Sequence, residues 1–175
     1  LKTARLARVV ERLRGEIRFS FLDIPAPPEP DGARVADLLE PAAVWWPKKR
    51  VDALVRQMPE KTRKRLTAAV DAPLVGTIFR RIRNGTTHAE GRFDGVAGCL
   101  RTPRGGSSKQ IVVSAAGGTI RARHLTAREA ARLMGVEESF VLPQRQNAGL
   151  FALGDAVCVP LFAWIGAHVL RPLLD

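Results

Sequence analysis

The side chains that could act as nucleophiles, general bases or metal ligands are few and scattered. Cys99 and Cys158 stand far apart, and His88, His124 and His168 occur singly, at no spacing that would close a metal site. Cys99 follows Gly98 and Cys158 lies in an apolar run, so each reads as a small hydrophobe and not as a nucleophile. No general acid/base pair and no nucleophile constellation is present, and no metal is expected. What the chain offers instead is a grip for anions. In the polar stretch 101–110, Arg101, Arg104 and Lys109 can meet phosphates and base edges, Gly105 and Gly106 permit close backbone approach, and Ser107, Ser108 and Gln110 supply hydrogen bonds. The stretch lacks the G-x-x-x-x-G-K-[ST] spacing, and no G-x-G-x-x-G follows a strand, so the nucleotide-fold motifs are absent. The competing reading is a surface loop without a partner.

The charge supports a polyanionic partner. The 175 residues hold 28 Lys+Arg against 17 Asp+Glu, a formal net charge of +11. From Lys48 to Arg123 there are 17 basic and 5 acidic residues, a net of +12, so one middle segment carries the whole excess. Nucleic acid is the first candidate and an anionic membrane the lesser one; a merely solubilising surface is the alternative. Aromatic residues make up only 6% and Tyr is absent, leaving few stacking platforms, which ranks RNA low. At 46% hydrophobic residues and a mean hydropathy of −0.05 the composition supports a packed core. Two cysteines make no disulfide framework and no signal sequence is visible, so a reduced, cytoplasmic setting is expected. The first residue is Leu1, not Met, which reads as a cut end.

These residues need elements to position them. Leu6, Val9, Val10 and Leu13 predict a helix over Leu1–Arg14, ended by Gly15, and Ile17, Phe19 and Phe21 alternate as a strand. Pro25, Pro27, Pro28 and Pro30 read as a stiff linker. Val35, Leu38 and Leu39 predict a short helix before Pro41; Pro47 opens one bearing Val51, Leu54, Val55 and Met58. Pro59 opens another, with Leu66 and Val70 inward and Lys61, Arg63, Lys64 and Arg65 on a solvated face. Thr77–Arg83 predicts a strand closed by an Asn84-Gly85 turn, and Phe93–Leu100 a second β region made irregular by Gly95 and Gly98. Ile111–Val113 and Ile120–Arg123 are strands joined at Gly117-Gly118. Thr126 and Glu129 form a capping box ahead of a helix buried through Ala130, Leu133 and Met134, with Gly135 at C′. Ala156–Leu170 is apolar nearly all round, short for a membrane span, and needs something large to pack against.

Two ordered stretches carry a resemblance. Residues 123–135, from Arg123-His124-Leu125-Thr126 through Arg128-Glu129 and Arg132 to Gly135, resemble motif IX of the DNA cytosine-5 methyltransferases, R-x-L-T-x-R-E-x-A-R-L-x-G. Residues 151–160, Phe151-Ala152-Leu153-Gly154-Asp155-Ala156-Val157-Cys158-Val159-Pro160, resemble motif X, F-G-N-x-V-x-V-P, with Asp155 where the family usually has Asn. Residues 92–106 are similar to the target-recognition region of bacterial members. The family's Gly-rich cofactor loop, Pro-Cys nucleophile, Glu-Asn-Val and Gln-x-Arg-x-Arg motifs have no counterpart here, so Cys99 takes no catalytic role.

The resemblance implies an α+β chain: a small mixed target-recognition domain of irregular strands and helices, plus a C-terminal helix that packs on a Rossmann-like catalytic domain outside this chain. It divides as a variable segment with the Pro-rich linker (1–79), a recognition β region (80–123), the motif IX helix and following loop (124–150), and motif X with the last helix (151–175). It implies double-stranded DNA and a catalytic half as partners, no membrane, and S-adenosyl-L-methionine lined by Asp155, Ala156 and Val157. Thr126, Arg128, Glu129 and Arg132 would organise the domain without doing chemistry. The whole enzyme would flip a cytosine from the duplex, attack C6 with a thiolate, methylate C5 and release the C5 proton, in restriction-modification. This chain would be inactive alone, as a fragment or as the subunit of a split enzyme. The rival is a stand-alone or remnant sequence-selective DNA-binding module.

Overall fold

In a computed structural model the described residues are 3–18, 23–29, 32–69, 72–103 and 109–174. The chain divides into two compact units, Leu1–Pro28 with Ala163–Asp175, and Glu29–Phe162. In the first, helix α1 spans Ala4–Leu13, and the Thr3 hydroxyl accepts the Leu6 N–H at 3.3 Å to cap it. Of its predicted apolar stripe Val10 is buried, whereas Leu6 and Val9 stay largely exposed. Ile17 lies in a bend; Phe19 and Phe21 of the predicted strand fall outside the described residues, as does Pro30 of the linker.

The second unit is built on a four-stranded antiparallel sheet of order β2-β1-β3-β4, with β1 Leu74–Arg83, β2 Thr86–Arg92, β3 Ile111–Ala116 and β4 Thr119–His124. This is a mixed α+β fold, as expected. Asn84 (φ 50°) and Gly85 (φ 73°) make the tight two-residue turn that right-handed strand twist favours. That turn sets the register from Arg83↔Thr86 to Thr77↔Arg92 and thereby places β2. The predicted β region at Phe93–Leu100 is corrected: the strand lies just upstream, and 93–100 is irregular. The cause is local. Asp94 Oδ1 accepts the Val96 N–H at 3.3 Å, and the Gly98 N–H turns aside to the Thr77 hydroxyl at 2.9 Å. The sequence division at 79/80 falls inside β1.

Side chains alternate across the sheet. Ile78, Ala89, Ile111, Val113, Ala115 and Ala122 share one face and pack against Val51 and Leu54 of helix α2 (Lys48–Arg56), Leu66 of helix α3 (Glu60–Thr67) and Met58 in the turn between them. Val70, predicted to face inward beside Leu66, lies outside the described residues. The helix predicted ahead of Pro41 is a 3-10 turn at Val35–Leu38. Beyond it the chain guards the free edge of β4, where the Trp46 N–H donates to the Ala122 carbonyl at 2.9 Å. Trp46 meets the His124 ring edge-on at 4.8 Å, and the Trp45 ring lies under Arg121 and Arg123 at 5.2 and 4.9 Å. Because residues 121 and 123 face away from 122 and 124, the two tryptophans flank the strand from opposite sides.

Helix α4 (Ala127–Leu133) begins with the predicted capping box and packs through Ala130 and Ala131 on Leu153 of α5 (Gln146–Asp155). The predicted helix Ala156–Leu170 is also corrected. Its first residue is extended (ψ 163°); helix resumes as α6 (Val159–Ile165) and continues through a π-helical Gly166–Leu170 into α7 (Arg171–Leu174). The stretch 151–160 therefore starts on α5 and crosses a break. By length and composition alone Gln146–Leu174 is apolar enough to cross a membrane. α6 buries no residue, and Val159, Leu161 and Phe162 are about half exposed.

Candidate nucleic-acid interface

The glycine-rich stretch is held at both ends. On the incoming side Pro103 is buried, and Gly154 of α5 presses against the backbone of Arg101 and Thr102 so closely that a Cβ there would overlap it. On the outgoing side Lys109 Nζ donates to Asn147 Oδ1 at 2.7 Å, again on α5. Gln110 turns inward, 7% exposed, its Nε2 donating to the Cys99 carbonyl at 3.0 Å while its own carbonyl accepts the Leu125 N–H at 3.1 Å. Arg101 is exposed. Arg104, Gly105, Gly106, Ser107 and Ser108 lie outside the described residues. Of the stretch, then, Gln110 and Lys109 serve as anchors, and Arg101 is the described cation facing solvent.

The charged residues of α4 are spent on tying segments together. Glu129 is fully buried and accepts from Arg123 Nη1 at 2.7 Å, from the Thr126 N–H at 2.9 Å and from the Glu40 N–H at 2.7 Å. Burial pushes its carboxyl up, but the Arg123, Thr126 and Glu40 donors outweigh that and hold it below the usual carboxylate range. Arg132 reaches the Leu38 carbonyl at 2.9 Å and the Glu138 carboxylate at 2.6 Å, and Arg128 donates to the Phe140 carbonyl at 2.7 Å. The Thr126 hydroxyl also donates to the Glu40 carboxylate. Glu40 carried no signal in sequence, because its partners lie more than eighty residues away. Arg123, counted there among the DNA-facing charges, is 2% exposed and points inward.

Gly135 joins the two motif stretches. It takes φ +70° after α4, where a side chain is disfavoured, and the Pro160 ring packs where its Cβ would be. The Val159 N–H donates to the Met134 carbonyl at 2.9 Å. Asp155, Ala156 and Val157 sit together at the α5–α6 break, all exposed. Ala156 also lines an open hollow of about 370 Å³ with Gly98, Cys99, Leu133, Met134 and Leu153.

His124 lies beneath the basic surface. Burial, then the Arg50, Lys109 and Arg80 charges, push its pKa down to about 4, and Arg50 Nη2 lies 3.2 Å from its Nε2. A histidine that stays neutral in the fold and titrates near 6.5 when unfolded adds stability in full above 6.5, which is lost as pH falls from 6.5 through about 4. Replacing it by Gln should flatten that part of the stability–pH curve, and the His124 Cε1 proton resonance should stay put until pH approaches 4. A midpoint near 6.5 in the native protein would contradict this burial.

A family model for C-5 cytosine-specific DNA methylases matches residues 28–171. The chain belongs to that family. A search of curated proteins returns no match. DNA is the substrate of such methylases and S-adenosylmethionine their methyl donor. Among the described residues no group of three or more His, Cys, Asp or Glu could hold a metal ion. At the end of α5 the exposed Asp155 carboxylate can accept from hydroxyl or amino groups, and the non-helical backbone of the residues after it leaves polar groups available, a chemistry compatible with a polar ligand such as the donor. The break encloses nothing by itself.

Proposed function

We propose that this methylase chain is the target-recognition part of a DNA cytosine-5 methyltransferase, inactive alone, which grips duplex DNA and lends one wall of the S-adenosylmethionine site to a catalytic half. The observation that carries this reading is the double anchorage of the glycine-rich stretch by α5, the helix that ends in motif X. One rigid element thus ties the DNA-facing stem to the cofactor wall, so a recognised duplex and a bound donor are placed in one frame. Arg101, which is exposed, and Arg104 would supply the charges that meet DNA, and Gln110 and Lys109 position the stem. Arg123, Thr126, Arg128, Glu129 and Arg132 hold the domain together. Asp155, Ala156 and Val157 would line the cofactor, which supplies the methyl group when bound. The half-exposed Val159, Leu161 and Phe162 suit a Rossmann-like catalytic domain as partner.

The test is complementation. The 175-residue chain is co-purified with a polypeptide carrying the family's Pro-Cys nucleophile and Gly-rich loop, and duplex DNA is read for new 5-methylcytosine. Methylation by the pair and none by either part is the expected result. Methylation by this chain alone would refute the division of labour. Duplex binding without methylation by the pair would favour the rival, a DNA-binding module, to which Asp155 in place of Asn lends its one argument.

A further inference from the structure

We propose that α2, the three-residue turn after it and α3 form a second phosphate-binding surface, which holds the backbone of duplex DNA independently of the glycine-rich stretch. The assignment rests on the DNA-methylase reading above and replaces the view of the α3 charges as a merely solvated face.

Residues 48–67 hold eight Lys or Arg against Asp52 and Glu60, a net of +6 out of the chain's +11. All eight are exposed. The packing explains why. α2 turns Val51 and Leu54 toward the sheet and α3 only Leu66, which leaves the rest of both helices facing outward. The two carboxylates do not neutralise this surface. Asp52 pairs with Lys48 and Glu60 with Lys64, while Lys49, Arg56, Lys61 and Arg63 have no ion-pair partner among the described residues. Two further cations are held in place by aromatic faces. Arg50 lies 3.7 Å over the Trp46 ring, and Arg65 donates to the Phe93 carbonyl at 3.2 Å beside that residue's ring. Guanidinium groups already immobilised lose little freedom when an anion arrives.

The composition of the surface selects its occupant. None of the exposed large hydrophobics falls within 48–67, so these helices present nothing to insert into a bilayer or to build the apolar centre of a protein interface. A dense row of cations with no apolar contribution is complementary to duplex DNA, which carries about one negative charge per 1.7 Å of axis. Contacts of this kind position a protein on the duplex and read no sequence.

The test uses the full chain and a random-sequence 24-base-pair duplex, with affinity measured by fluorescence anisotropy across salt concentrations. Lys49, Arg56, Lys61 and Arg63 are all changed to Gln, which keeps helix propensity and removes four charges. A control variant removes four exposed charges elsewhere, with Arg5, Arg8, Arg12 and Arg18 changed to Gln. The α2–α3 variant is expected to melt like wild type and to lower the slope of log K against log salt by about 3 to 4, since each phosphate contact contributes about 0.9. The control is expected to leave the slope within about one. Equal losses in both variants, or no loss in the first, would overturn the proposal while leaving the recognition reading intact. Tighter binding to phosphatidylserine vesicles than to the duplex would overturn it as well. A wild-type chain that binds no duplex at low salt would defeat the recognition reading itself.

Discussion

Glu129→Ala is expected to cost about 3–5 kcal/mol of folding stability, because it strips the partner from a buried charge. Arg123 is 2% exposed, and without Glu129 its guanidinium keeps only weaker carbonyl acceptors, at His124 (3.2 Å) and Glu40 (3.5 Å). The Glu40 and Thr126 N–H groups lose their acceptor at the same moment. Urea unfolding followed by circular dichroism measures the loss. Changing Arg123 and Glu129 together to Leu should recover most of it, since an apolar pair leaves no buried charge behind. A single-variant loss below about 1 kcal/mol, the range of an exposed pair, would mean that water reaches the site. The carboxylate also sets a pH limit. Its native pKa is depressed, so its contribution is present above the ordinary value of 4.5 and is lost as pH falls through the lowered one.

Gly154→Ala should give the second largest effect. An added Cβ falls on the backbone of Thr102 and Arg101, which cannot rotate away as a side chain tip would. Overpacking of this kind costs about 1–3 kcal/mol, and relief requires α5 and the loop stem to part. The variant should therefore melt lower, become more sensitive to proteolysis within 101–110, and bind duplex DNA more weakly. Gly166→Ala is the matched control, since nothing lies within 4 Å of its Cβ position. If the two variants melt alike, the close approach of α5 to Thr102 is not tight in solution.

Much of the fold was legible because its signals are local. The Asn84-Gly85 turn, the Thr126–Glu129 capping box, the prolines opening α2 and α3, and the β3–β4 hairpin each follow from residues within four positions of one another. β2 was missed because Thr-Thr-His-Ala-Glu-Gly-Arg has no apolar alternation of its own; its register is imposed by the hairpin and by β1. The break at Ala156 was missed because an all-apolar run looks the same whether its helix is continuous or interrupted.

By itself the sequence determined the family, through two ordered motifs, and the basic character of one segment, 48–123. Composition and motif order survive any arrangement of the chain. Which charges face outward was decided only in three dimensions. Arg123 and Glu129 sit six residues apart, and the capping box and motif resemblance that mark them in sequence do not say that they are buried; folding buries both, because Glu40, far away in sequence, arrives to complete their hydrogen bonds. Lys61 and Arg63 remain outside because Leu66 alone draws α3 onto the sheet. Burial is a property of contacts between distant segments, and a charge acquires its role only once those contacts have formed.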